Sequence, residues 1–189
     1  MKKIAILASG SGTNAESIIK YFKNHKSIKV DLILSNKPDA FVLERAKKHH
    51  IQYATFTKKE LYESENVKNL LFDKQIDLIV LAGFLLLVPS HIVKAFPHKI
   101  INIHPALLPE YGGKGMYGKR VHQKILENNE PVTGITIHYV NEYYDDGDII
   151  HQAKCPVEPN DTAETLAERV HKIEHIEYPR IIEQLLLEK

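Results

Sequence analysis

Short apolar runs alternate with amphipathic stretches along most of this chain, and that rhythm constrains its fold more than any other feature. Residues 3–8 form a run too short for a core helix and pass directly into Ser9-Gly10-Ser11-Gly12. They read as a buried strand and a turn, with a helix over about residues 14–24. Residues 30–35 are a second strand, followed by Asn36-Lys37-Pro38-Asp39 and a helix to about residue 49. A third strand is expected at 52–56. Thr57 with Glu60 three residues on forms a capping box for a helix to about residue 74. A strongly apolar fourth strand at 77–82, a short helix opened by Pro89-Ser90 and a fifth strand at 99–104 complete the pattern.

Strands alternating with helices in this way predict an α/β fold: an open, mostly parallel, Rossmann-like twisted sheet with helices on both faces. The pattern then changes. Residues 132–140 and 148–156 are extended, β-branched and separated by a short polar segment, which predicts a carboxy-terminal antiparallel strand pair. Asp161 with Glu164 caps a terminal helical region, interrupted at Pro179 and ending in Leu185-Leu186-Leu187. No repeat, linker or low-complexity tract divides the chain, so one domain over residues 1–189 is expected.

Composition narrows the function classes. A net charge of +1 with interspersed acids and bases gives no electrostatic footprint for nucleic acid or an anionic membrane. The single cysteine, Cys155, leaves no intrachain disulfide and no cysteine-rich zinc site, and it reads as a packing residue. The apolar run after Met1-Lys2-Lys3 is too short for a signal-peptide core, and the longest uncharged apolar stretch, 78–88, is far short of a membrane span. A soluble, cytoplasmic protein is expected. Nothing in the sequence separates a monomer from a homodimer.

Open α/β sheets bind ligands beyond the carboxyl ends of their strands, so chemistry is expected in residues 9–14, 83–88, 102–118 and 141–147. Ser9-Gly10-Ser11-Gly12-Thr13-Asn14 joins a strand to a helix, where backbone N–H groups and the helix dipole suit a phosphate. Gly10, Gly12 and Ala15 also fit a dinucleotide fingerprint, but that reading requires an acid after strand two, where Ser35-Asn36-Lys37 stands. The bland alternative is a capping box between Thr13 and Glu16. Asn102 and His104, two apart on a strand, project from one face. A carboxamide beside an imidazole suits acyl transfer, one holding an oxyanion and the other handling protons. The turn Tyr143-Tyr144-Asp145-Asp146-Gly147 brings a carboxylate to the same sheet edge, where it would fix and charge the imidazole, although Asp-Gly is also a common turn pair. His138 reads as sheet packing or indirect support. His171-x-x-Glu174-His175 matches an inverted zinc-peptidase pattern, but only fourteen residues follow in which to place a third ligand, so no metal is expected. Lys114 lies in a glycine-rich stretch, 111–118, with the composition of either a lid or a surface insertion.

Taken in order, Gly10-Ser11-Gly12-Thr13-Asn14, Leu81-Ala82-Gly83-Phe84, Asn102-Ile103-His104-Pro105-x-Leu107-Leu108-Pro109, Gly134-Ile135-Thr136-Ile137-His138-Tyr139-Val140 and Asp145-x-Gly147 resemble the folate-dependent formyltransferases over essentially the whole chain. The resemblance implies that 10-formyltetrahydrofolate, as co-substrate, donates a formyl group to the amine of glycinamide ribonucleotide, a reaction of purine synthesis. It implies that Asn102 stabilises the oxyanion, that protonated His104 assists, and that Asp145 keeps His104 charged. Gly12, Thr13 and Asn14 would hold the ribonucleotide phosphate and Glu174 its sugar or glycinamide part. Leu85, Leu86, Leu87 and Val88, with Asn102, would line the folate pocket. The chain departs from its relatives in carrying Leu86 where many have arginine, in a longer loop after Leu107-Leu108-Pro109, and in the doubled Asp145-Asp146. Relatives that formylate initiator tRNA or hydrolyse formylfolate carry extra domains, so a chain of this length with the Gly10-Ser11-Gly12-Thr13-Asn14 loop is expected to act on the ribonucleotide. A binding module without catalysis would not need Asn102, His104 and Asp145 together.

Overall fold

The computed structural model describes residues 1–188. Five strands are laid down first, β1 (Lys2–Leu7), β2 (Ile28–Ser35), β3 (Gln52–Thr55), β4 (Leu78–Leu81) and β5 (Ile100–His104), with helices between them. Two more, β6 (Val132–Tyr139) and β7 (Ile149–Pro156), complete one seven-stranded sheet in the order β3-β2-β1-β4-β5-β6-β7. The first five pair in parallel, and β6 and β7 join antiparallel at one edge. This is the Rossmann-like fold expected. Alternate residues of each strand feed opposite faces, as the pleat requires. Ile4, Ile6, Ile33 and Val80 pack on one side, whereas Ala5, Leu7, Leu32, Leu34 and Ile79 pack on the other. Both faces are covered, which is why these strands are continuously apolar rather than alternating.

Helices α1 (Thr13–Phe22) and α2 (Phe41–Lys48) begin and end within a few residues of the expected positions. The stretch expected as one helix after Thr57 is two, α3 (Lys58–Glu63) and α4 (Asn66–Asp73). The Thr57–Glu60 capping box forms as expected, but Ser64 turns its hydroxyl back to the Glu60 carbonyl and accepts from the Asn66 N–H, closing one helix and opening the next. A short α5 (Ser90–Ala95) precedes β5.

Helix α6 (Lys119–Glu127) is not anticipated by the sequence reading. It follows the glycine-rich stretch directly and buries Val121, His122 and Ile125, an i, i+4 spacing that was available as a signal. The last helix, α7 (Ala163–Leu187), corrects two expectations. Its capping box is Thr162 with Thr165, one residue later than Asp161 with Glu164. Asp161 instead binds Arg169 and the Glu158 N–H. Pro179 does not interrupt the helix. A mid-helix proline costs about 3 kcal/mol, but here its ring is buried together with Tyr178, Ile181 and Ile182. Tyr178 further anchors this turn by donating its hydroxyl to the carbonyls of Leu81 (2.9 Å) and Ile101 (3.3 Å). No helix among the described residues is long and apolar enough to cross a membrane.

Candidate active site

The sheet order places β2 and β3 on one side of β1 and the later strands on the other, so the chain changes direction between β1 and β4. At that switch point the loops leaving the strands splay apart. A cavity of about 650 Å³ opens there, lined by residues 9–14, 81–88, 102–105 and 113–118, together with His122, His138, Asp145, His171 and Glu174. The four segments expected from sequence therefore converge, and α6 and α7 supply further walls.

One end of the cavity is the turn after β1. Gly12 has φ +71°, and a Cβ there would stand 2.6 Å from Val42 Cγ2, so glycine is required both by the backbone and by the close approach of α2. Gly12 caps α1 without a side-chain hydrogen bond, leaving the first N–H groups of the helix available to an anion. The alternative Thr13–Glu16 capping box does not form. Glu16 instead pairs with His49 (3.0 Å), Arg45 (3.2 Å) and Lys20 (3.3 Å). Burial pushes its carboxyl up, but these three partners outweigh it and bring the pKa to about 2. Arg45 in turn donates Nε–H to the Ser11 carbonyl at 2.8 Å. Where a dinucleotide site would need an acid, Asn36 accepts from Ser9 Oγ (2.6 Å) instead. Asn14 donates to Glu174 at 2.8 Å. Glu174 is only 4% exposed, and burial raises its carboxyl above the usual range.

The cavity also has an apolar wall. Leu85, Leu86, Leu87, Val88 and Val140 line it, interspersed with main-chain groups. The Leu87 carbonyl is fixed by the Tyr62 hydroxyl at 2.8 Å.

The polar centre lies in the same cavity. Asn102 and His104 face the same way on β5, and both meet Asp145, whose left-handed backbone (φ 53°) turns its carboxylate toward them. Asp146 is directed elsewhere and accepts from Asn141, so Asp145 is the residue that faces the imidazole. Asp145 Oδ1 accepts from Asn102 Nδ2 at 3.3 Å, and Oδ2 lies 3.5 Å from His104 Nδ1 and accepts from the Gly113 N–H at 3.0 Å. His138, expected to be packing or indirect support, is part of this cluster. Its Nε2 is 3.1 Å from Asn102 Nδ2 and 3.6 Å from Asp145 Oδ1, and it is 2% exposed.

Backbone carbonyls set the protons of both rings. His104 Nε2 lies 2.8 Å from the Tyr111 carbonyl and His138 Nδ1 lies 2.8 Å from the Tyr139 carbonyl. A carbonyl only accepts, so each of these nitrogens carries hydrogen. The nitrogens facing Asp145 are then bare in the neutral rings. Burial, partly offset by Asp145 and the Tyr111 carbonyl, holds His104 below the usual histidine range, which favours the neutral ring in the resting site. For Asp145, burial pushes the carboxyl up, but the neighbouring His138 and His104 rings and the Gly113 N–H outweigh it and hold the carboxyl below its usual range. Both N–H bonds of Asn102 are engaged, one to His138 and one to Asp145.

Two further histidines face the cavity. His122, on the unanticipated α6, is 1% exposed with its Nδ1 unpartnered, and burial lowers its pKa to about 4. His171 lines the cavity and stacks on His175 at 6.4 Å. Among the described residues no group of three or more His, Cys, Asp or Glu is gathered as a metal would need, and Glu174 of the zinc-like pattern turns to Asn14. Lys114 lines the mouth of the cavity within the glycine-rich segment.

A carboxamide, an imidazole and a carboxylate gathered at the switch point of an open α/β sheet have the chemistry that acyl transfer needs. The chain belongs to the formyl transferase family, whose model matches residues 2–182. It is 37% identical to the phosphoribosylglycinamide formyltransferase of Bacillus subtilis, covering 98% of this chain and 95% of that one. To the chloroplastic phosphoribosylglycinamide formyltransferase of Arabidopsis thaliana it is 40% identical over 96% of this chain, and it spans 64% of that relative's length. The crystal structure of the Bacillus halodurans phosphoribosylglycinamide formyltransferase superposes with a TM-score of 0.88 at 40% identity, covering 99% of this chain and 96% of that one.

Proposed function

We propose that this chain transfers the formyl group of 10-formyltetrahydrofolate to the amine of 5-phosphoribosylglycinamide, a step of purine biosynthesis. The observation that carries the reading is the meeting of Asn102, His104 and Asp145 in one cavity with the uncapped start of α1 and the apolar residues 85–88. The family and the names of its high-coverage relatives support the acceptor. The ribonucleotide phosphate sits on the N–H groups of Gly12, Thr13 and Asn14, and Glu174, oriented by Asn14, takes the sugar or glycinamide end. The pterin lies against Leu85, Leu86, Leu87 and Val88, where main-chain groups serve its ring nitrogens and Leu86 adds apolar surface rather than charge.

The amine nitrogen forms a bond to the formyl carbon, and the carbonyl electrons move onto oxygen. Asn102 stabilises that oxyanion through an N–H turned from Asp145. The nitrogen, now positive, gives a proton to His104, which becomes charged beside ionised Asp145 and strengthens the hold on the oxyanion. Collapse restores the carbonyl and breaks the carbon–N10 bond, and His104 returns the proton to N10. Formyl and hydrogen have changed places between donor and acceptor, with no other reagent consumed.

Purified protein given 10-formyltetrahydrofolate is expected to release tetrahydrofolate only when the ribonucleotide is also present. Equal release without it would mark a hydrolase, and no release despite demonstrated folate binding would remove the reading.

A further inference from the structure

Tyr111 stands in the loop between β5 and α6, outside the cavity lining, yet it is held more firmly than a loop residue requires. Its φ is +56°, a left-handed conformation that disfavours a residue with a bulky side chain by about 1–2 kcal/mol. Its hydroxyl donates to Glu130 at 2.6 Å and accepts from Asn128 Nδ2 at 2.8 Å, both in the turn after α6, and its ring packs against the core. The strained backbone aims the Tyr111 carbonyl at His104 Nε2, 2.8 Å away. Two residues on, the Gly113 N–H holds Asp145 Oδ2, and Gly112 passes so close that a Cβ would lie 3.2 Å from Asp145 Cβ. One short segment thus fixes both members of the imidazole–carboxylate pair through main-chain groups. Backbone strain persists where the surroundings over-determine it, and such places cluster at functional sites.

We infer that Tyr111 is a positioning residue that locks His104 as the Nε2–H form, so that Nδ1 alone, facing Asp145, accepts and returns the proton during formyl transfer. An imidazole free to exchange its proton between nitrogens would spend part of its time with Nδ1–H toward the carboxylate, unable to accept there. The Tyr111 carbonyl removes that alternative. The side-chain anchor at Asn128 and Glu130 holds the carbonyl in place from outside the glycine-rich stretch that follows.

The inference rests on the reading of His104 as the proton carrier. Nitrogen NMR on histidine-labelled protein, with the His104 signals assigned by their loss in His104→Asn, reads the tautomer directly. Above its titration, wild-type His104 is expected to show a bare Nδ1 and a protonated Nε2. Tyr111→Phe removes both anchor bonds, and Tyr111→Gly also relieves the strain. In each, the His104 signals are expected to shift toward the averaged pattern of exchanging tautomers. In Tyr111→Phe kcat is expected to fall about tenfold with both KM values within roughly twofold. A loss of packing alone would lower the melting temperature without moving the tautomer. A wild-type His104 protonated on Nδ1, or unchanged tautomer and kcat in Tyr111→Phe, overturns the inference. Wild-type turnover in His104→Asn would instead overturn the underlying role of His104.

Discussion

Replacing Asp145 with asparagine is expected to lower kcat by about 10³-fold while the fold and both KM values change little. The substitution is nearly isosteric, and asparagine tolerates the left-handed backbone that Asp145 occupies at φ 53°. Its side-chain oxygen still accepts from the Gly113 N–H, so the loop keeps that contact. What disappears is the negative charge 3.5 Å from His104 Nδ1 and 3.6 Å from His138 Nε2. Burial already disfavours a charged His104, and without Asp145 only the Tyr111 carbonyl offsets that cost when the proton arrives. A steady-state kcat within threefold of wild type, in a variant melting at the wild-type temperature, would remove Asp145 from the mechanism.

The second large effect belongs to the turn after β1. Gly12→Ala places a methyl group 2.6 Å from Val42 Cγ2 on a backbone at φ +71°, so either α2 or the turn must move. α2 is tied to the same turn by the Val42 N–H on the Gly10 carbonyl and by Arg45 on the Ser11 carbonyl, and the turn is the softer of the two. Misplacing one charge-assisted hydrogen bond to phosphate costs roughly 2 kcal/mol, about 30-fold in ribonucleotide affinity. On the proposed reading the folate donor is held by the 85–88 segment rather than by this turn, and its KM is expected to stay within about twofold. Equal increases in both KM values would show that this turn does not serve the ribonucleotide separately.

These expectations trace how much was legible in the chain. Strands β1 and β4 could be read because they are nearly continuous apolar runs bounded by turn residues, and the antiparallel pair because 132–140 and 148–156 lie too close for a crossover. Helix α6 was hidden because it starts directly after a glycine-rich stretch and is short, with only Val121 and Ile125 as a clear apolar spacing. Pro179 misled because sequence counts the lost hydrogen bond and not the burial of Tyr178, Ile181 and Ile182 around it. In the site, Asn102 and His104 followed from the two-residue period of a strand, and Asp145 from a turn that had to lie at the same sheet edge. His122 and His171 reach the cavity only because α6 and α7 pack beside it. The placement of His138 depends on the pairing of Asn102 with His138 across two antiparallel strands. The protonation pattern was beyond sequence altogether, since it is written by the carbonyls of Tyr111 and Tyr139, which carry no side-chain signature.

The central claim is that the formyl carbon passes from folate to the ribonucleotide amine in this cavity. The most direct test is a carbon-13 NMR time course with 10-formyltetrahydrofolate labelled in the formyl carbon, mixed with 5-phosphoribosylglycinamide and enzyme. The label is expected to appear in a formamide of the ribonucleotide, at a rate that Asp145→Asn reduces about 10³-fold. Label appearing as free formate, or remaining on the folate with wild-type enzyme, would contradict the account.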